Sequence, residues 1–341
     1  VCMASFATAD NQWLGGNGVP LNHWDEPTNW DSGIVPQSAT ERHIDPNVND
    51  DLNVARFTQN GTVTLIDSSV NATTFGLQLG HPLNPALPSP FNNQSASNTL
   101  NMTGGSITNQ GGFGFNVGRG TNNDPNHLVQ FNMSGGTVNA SILTVPEAFG
   151  PPAGSVGINA EMHVSGNSKI NTDLLRLGAQ DANSTVTLSG NALVRLNDDN
   201  NGFSPGVLWI EAFEDPNNTG GTSLLEISDN AQLRVFGEWW TDGNGNGVRD
   251  VNLTEEEYDY FVDNYVANGW IAAGAGFTLH HEFVPTGTSP VFDPNTGAPT
   301  GATVPTGYAL FATVPEPTAI GLVMMAAGSW LVLRRKEEGV S

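Results

Sequence analysis

The sequence predicts an all-β protein, a right-handed parallel β-helix or solenoid, with a short helical insertion near residues 254–268 and one C-terminal transmembrane helix. Three observations lead to this expectation. Gly makes up 40 of 341 residues and only 13% are charged, a balance that favours turns and short strands over long helices. A short strand-turn-strand pattern recurs through the middle of the chain. A single apolar run, residues 318–333, stands near the C-terminus and is followed by basic residues.

The first nine residues are small or apolar and end in Ala7-Thr8-Ala9, the pattern a signal peptidase reads, before composition changes at Asp10. Residues 1–9 are therefore expected to be the remnant of a signal peptide, which implies export. The one cysteine, Cys2, would leave with it, so neither a disulfide framework nor a cysteine zinc site is expected. With 34 acidic and 11 basic residues the net charge is -23, which sets the chain against nucleic acid and anionic lipid as partners.

Residues 10–62 are tryptophan-rich: Trp13, Trp24 and Trp30 stand among Gly, Asn and Pro. The open first turn of a solenoid needs an apolar lid, and large aromatics on loops supply one, so an N-terminal cap is expected. An exposed sugar-binding platform is the alternative use of the same tryptophans.

Residues 63–240 carry the repeats. Leu100-Asn-Met-Thr-Gly-Gly, Phe131-Asn-Met-Ser-Gly-Gly, Met162-His-Val-Ser-Gly-Asn, Val186-Thr-Leu-Ser-Gly-Asn and Leu225-Glu-Ile-Ser-Asp-Asn align on Met102, Met133, Val164, Leu188 and Ile227. The intervals are 31, 31, 24 and 39 residues. A weaker copy, Val63-Thr-Leu-Ile, is expected to anchor near Leu65. Apolar and polar residues alternate before each turn, the signature of a strand with one buried face. Gly and Asn supply turn residues that tolerate positive φ. Second apolar stretches end at Gly80, Gly118 and Gly178, and Val207-Leu-Trp-Ile takes the same place without the glycine. One such unit cannot bury its apolar face alone, so it must stack on its neighbours. A β-sandwich with hairpins at the Ser-Gly-Gly sites is the competing architecture, but hairpins give no reason for a 31-residue interval.

Residues 241–313 are expected to hold an insertion and a C-terminal cap. Asp242, Asn244, Asn246 and Asp250, with Gly at the sixth place, match the first nine positions of a calcium loop, which makes calcium the one candidate cofactor. Leu253 stands at position twelve, where a bidentate carboxylate belongs, so such a site would be weak. Thr254-Glu-Glu-Glu257 reads as a capping box opening a helix whose apolar face is Tyr258, Phe261, Val262, Tyr265 and Val266.

Catalysis is not expected. The best local carboxylate pair, Asp198-Asp199, lies in an Asn-rich turn after Leu196, and His280-His281 falls in an expected strand with no third ligand nearby in sequence. No nucleophile elbow or phosphate-binding loop stands out. Parallel β-helices do host glycan lyases and hydrolases, so a carbohydrate-active enzyme stays open as an alternative, as does a glycan-binding adhesin.

The tail has three parts: Val314-Pro315-Glu316-Pro317, the apolar run 318–333, and Arg334-Arg335-Lys336. The run gives ~24 Å of helix, a little under a ~30 Å hydrocarbon core, and the basic stop puts the C-terminus in the cytoplasm. This order resembles the PEP-CTERM sorting signal of bacterial exported proteins, over residues 314–341. The repeats are similar to the β-helical passenger repeats of PEP-CTERM and autotransporter-type surface proteins. The resemblance implies an exosortase-type membrane transpeptidase as partner. It implies an inner-membrane anchor through residues 318–333, then delivery to the cell surface or extracellular matrix, where exopolysaccharide is a candidate neighbour. The function it implies is that of a non-catalytic surface or matrix protein.

Overall fold

A computed structural model of the chain describes residues 10–14, 23–39, 44–45, 50–58, 62–80, 96–111, 114–120, 126–148, 158–179, 182–196, 206–210, 221–237, 253–285, 290–292, 299–303 and 308–316. Within them the protein is mainly β. Many parallel strands lie in two sheets, and one short helix accompanies them.

The seven-stranded sheet is built from the first strand of each repeat. Its strands are Thr62–Ile66, Asn98–Met102, Val129–Met133, Asn159–Val164, Asn183–Leu188, Ser223–Ile227 and Ile271–Ala273. All neighbours pair in parallel, in chain order. Met102, Met133, Val164, Leu188 and Ile227 are directly opposite one another, as the repeat alignment requires. Each is at most 1% exposed. The early copy differs by one residue: Ile66 stacks on Met102, while Leu65 stands opposite Asn101. Both residues are apolar, so the pattern alone could not set the phase, and a one-residue slip exchanges the two faces of a strand.

The large sheet carries the second and third strands of each unit. Here Ala72, Ile107, Val138, Ile170, Val194 and Leu233 form one buried row. Leu77, Phe115, Leu143, Leu175 and Leu208 form another, every one fully buried. In two units the second and third strands merge into one long strand, Thr137–Ala148 and Lys169–Ala179. The rows from both sheets join in one hydrophobic core.

The turns between first and second strands follow the glycines. Gly105 and Gly136 adopt φ of 69° and 92° in the Gly-Gly copies, and in the Gly-Asn copies Gly166 and Gly190 take that role one place earlier. Asp229 occupies the corresponding position in the last copy at φ 55°, and its side chain accepts the Gly190 N–H at 2.9 Å.

At the N-terminal end Trp13, Trp24 and Trp30 surround Phe57, with ring centroids 4.9–6.2 Å apart. All three are at most 2% exposed, which overturns the exposed-platform alternative: these rings extend the core rather than face solvent. The Trp30 indole N–H donates to the Trp24 carbonyl at 2.9 Å.

At the other end the expected helix is present in altered form. Glu255–Tyr260 is α-helical and Phe261–Val266 continues as a π-helix. The capping box forms as expected, with Thr254 and Glu257 exchanging hydrogen bonds. Phe261 and Tyr265 of the expected apolar face are fully buried.

Candidate functional site

The residues that lead into the Pro-Glu-Pro motif form the last strand of the described protein, Tyr308–Pro315. Its sequence alternates, so Ala309 and Phe311 are fully buried while Tyr308 and Leu310 turn to the other face. Every strand pair of the repeats is parallel, yet this strand lies antiparallel to both of its neighbours. On one side Ala309–Ala312 register with Gln232–Val235, the second strand of the last repeat. On the other side the whole strand pairs with Phe277–Val284.

Side chains fix the strand at several points. Phe311 packs edge-on to Phe261 at 6.4 Å and lies 6.5 Å from the His281 ring. Tyr308 stacks 4.9 Å from Phe236, with the Arg234 guanidinium 5.8 Å from its ring. The Thr313 hydroxyl donates to the Asp229 carbonyl at 2.8 Å. Pairing runs through Val314 and Pro315, although Val314 is 51% exposed. Among the described residues the last hydrogen bond of this segment is from the Glu316 N–H to the Gly276 carbonyl, 3.0 Å.

The helix braces the outer strand. The Tyr258 hydroxyl and His281 Nδ1 are 2.7 Å apart, and the Tyr258 and Phe283 rings lie 5.9 Å apart. Burial, and then the neighbouring His280, hold the His281 pKa below the ordinary imidazole value. Burial, followed by Asp259 and Glu282, pushes the Tyr258 phenol up. His280 turns outward and pairs with Glu282 at 3.6 Å.

Thus Val314, Pro315 and Glu316 are brought together at the end of the sheet. Pro317, Arg334, Arg335, Lys336 and the apolar run 318–333 lie outside the described residues, as do residues 1–9. Among the described residues no helix is long and apolar enough to cross a membrane. The calcium-loop residues Asp242, Asn244, Asn246 and Asp250 and the pair Asp198-Asp199 also lie outside. Leu253, at the twelfth place of the calcium pattern, is 2% exposed and belongs to the core, so it is committed to packing. No cluster of three metal-binding side chains occurs among the described residues.

Two polar groups that cross between repeats were not foreseen. On the large sheet Glu147 sits 3.3 Å from Arg119 and 4.0 Å from Arg176, whose guanidinium lies 4.2 Å over Trp209. On the seven-stranded sheet Glu161 accepts from Gln130 at 2.9 Å and contacts His163 Nε2 at 3.1 Å; His163 Nδ1 reaches the Thr187 hydroxyl at 2.8 Å. The Glu161 carboxyl is held below its ordinary pKa because the hydrogen bonds from Gln130 and His163 together outweigh burial, the largest single influence. A signal for the first group was in the sequence: Leu175-Arg-Leu and Leu208-Trp-Ile occupy equivalent places, so Arg176 and Trp209 must be neighbours. Both groups join one repeat's side chains to the next repeat's.

Comparison with protein-family models, with curated proteins and with solved structures finds no match.

Proposed function

We propose that this chain is an exported, non-catalytic surface or extracellular-matrix protein whose body is a right-handed parallel β-solenoid and whose tail is a PEP-CTERM-type sorting signal. The observation that carries the architectural half is the register: residues 24 to 39 apart in sequence stand directly opposite in parallel strands, from Met102 to Ile227. Stacked coils with loops of unequal length account for that register, and the chirality of parallel crossovers makes them right-handed. The tail half is supported by the order of parts that follows the last strand: Pro315-Glu316-Pro317, an apolar run, and three basic residues. In this reading residues 318–333 hold the protein in the inner membrane until an exosortase-type transpeptidase delivers it outward, among matrix exopolysaccharide.

The rival reading of a glycan-binding adhesin is weakened by the aromatic end, since Trp13, Trp24 and Trp30 are consumed by packing; that of a carbohydrate-active enzyme turns on Asp198-Asp199, which lies outside the described residues. The test of the sorting reading is mass spectrometry of the protein from its native host and from a strain lacking the transpeptidase. The expected native surface fraction lacks peptides containing Trp330, and the mutant strain retains them. Trp330 peptides in the native surface fraction would show a plain anchor instead.

A further inference from the structure

We propose that the outer strand Phe277–Val284 is a self-pairing edge: two copies of this chain join there, antiparallel about a two-fold axis at His281, and continue the large sheet from one copy into the other. Among the described residues this strand ends the large sheet and pairs on one side only, with Tyr308–Pro315. The phase of that ladder fixes which backbone groups stand at the open edge. The Glu316 N–H bonds to the Gly276 carbonyl, in step with the register of the two strands, so Gly276 belongs to a hydrogen-bonded pair. Bonded and non-bonded pairs alternate along an antiparallel ladder. Thr278, His280 and Glu282 therefore bond inward, to Val314, Ala312 and Leu310. Leu279, His281 and Phe283 turn their N–H and C=O groups toward the open edge, and such an edge is a template for another strand.

A second copy fits this edge best in one register. With the axis at His281, that residue faces its own equivalent and Leu279 faces the partner's Phe283. All three open residues then lie in bonded pairs, which gives about six backbone hydrogen bonds at two per pair. His280 falls opposite the partner's Glu282, at non-bonded positions where side chains approach most closely. Within one strand these two side chains are 51% and 48% exposed and lie 3.6 Å apart. Pairing sets the two His-Glu couples side by side in alternation, the favourable cross-strand arrangement. Leu279 and Phe283, each only partly buried against the core, cover one another across the axis. Burial, then His280, hold the His281 ring below the ordinary imidazole pKa, so the two facing rings meet uncharged at neutral pH. Moving the axis by one residue loses a bonded pair and sets His280 over the partner's His280, or Glu282 over the partner's Glu282. An identical chain supplies both halves of this match, as a two-fold interface requires.

One strand per copy is a smaller contact than the ~1,600 Å² of a standard complex, so the dimer should depend on concentration. Sedimentation velocity of the full chain in detergent, from about 1 μM to about 500 μM, is expected to show reversible dimers. His280→Glu sets carboxylate against carboxylate and should raise the dissociation constant about tenfold, and adding Glu282→Lys should restore it. Both side chains are exposed, so neither variant threatens folding. A monomer at every concentration would overturn the proposal. So would a dimer that His280→Glu leaves intact, because association would then run through another surface, the apolar run 318–333 included. Hydrogen exchange reads the edge itself: the Leu279, His281 and Phe283 amides should exchange fast in dilute protein and slow as it dimerises. Slow exchange already in the monomer would put another segment of the same chain on this edge, and the self-pairing would fall.

Discussion

Met133 stands at the centre of the apolar ladder, between Met102 and Val164, and is 1% exposed. Met133→Ala removes the side chain without adding a polar group, and the cavity should cost about 2–5 kcal/mol. Met133→Asp leaves a smaller cavity and adds a carboxyl to a dry site. That carboxyl escapes the cost of a buried charge by staying protonated. Holding a proton at about pH 7 on a group whose unfolded pKa is about 3.9 costs about 4 kcal/mol, at 1.36 kcal/mol per unit. The folded pKa is raised, so the extra cost is absent below about pH 4 and grows as pH rises through the unfolded value. The Asp variant should therefore come nearest the Ala variant in acid, below it by the roughly 1–3 kcal/mol of an unpaired neutral carboxyl, and fall by up to about 4 kcal/mol more near neutrality. Urea unfolding followed by tryptophan fluorescence at several pH values reads both numbers. If both variants lie within about 0.5 kcal/mol of wild type, as surface substitutions do, Met133 is not in the core and the stacked register is wrong.

Gly136→Ala places a Cβ 2.6 Å from Met102 Cε and 2.7 Å from the carbonyls of Gly104 and Gly105, at a φ of 92°. It should lose about 2–4 kcal/mol in thermal unfolding, whereas a loss under about 0.5 kcal/mol would mean the turn can rearrange freely. Trp30→Phe leaves the Trp24 carbonyl without its indole donor and should cost about 1–3 kcal/mol by the same assay, with wild-type stability arguing against a closed aromatic cluster. His281 has a folded pKa below its unfolded value, so the stability it supports is present above about pH 6.5 and declines as pH falls through that value. Its replacement by Gln should flatten the decline in melting temperature between about pH 7.5 and pH 5.5, and an unchanged slope would remove His281 from the clasp with Tyr258.

What the sequence made legible was whatever repeats or alternates. The phase of Met102, Met133, Val164, Leu188 and Ile227 was readable because each sits two places after another apolar residue and just before a turn. Leu65 and Ile66 defeated the same method because adjacent apolar residues carry no parity. The capping box at Thr254 was readable because its chemistry is local, confined to four residues. The closing strand was harder. Ala309 and Phe311 alternate correctly with their neighbours, but alternation says which face is buried and not which way the partner runs. The tryptophans near the N-terminus were ambiguous for a related reason: an aromatic lid and an aromatic platform have one composition, and only burial separates them.

The polar faces of the stacked strands bear on the low charge content and the abundance of Asn. In a parallel stack each outward residue meets its equivalent in the next repeat at about 4.8 Å. A charged residue kept at that place in the next repeat would then stand over its own kind. An arginine pair shows the consequence: Arg195 is opposite Arg234, and burial, reinforced by Arg234, pushes its pKa down to about 10. An amide has no such difficulty, because it donates through nitrogen and accepts through oxygen and can bond to a copy of itself. Asn132 donates to Asn101 at 3.0 Å, Asn171 to Asn139 at 2.9 Å, and Asn183 to Asn159 at 2.8 Å. Asn191 donates to Asn167 and accepts from Asn230, continuing one chain of amides across three repeats. Stacking like on like thus disfavours repeated charge, and the Asn ladders of the turns and strand faces are the hydrogen-bonding counterpart of the apolar ladder inside.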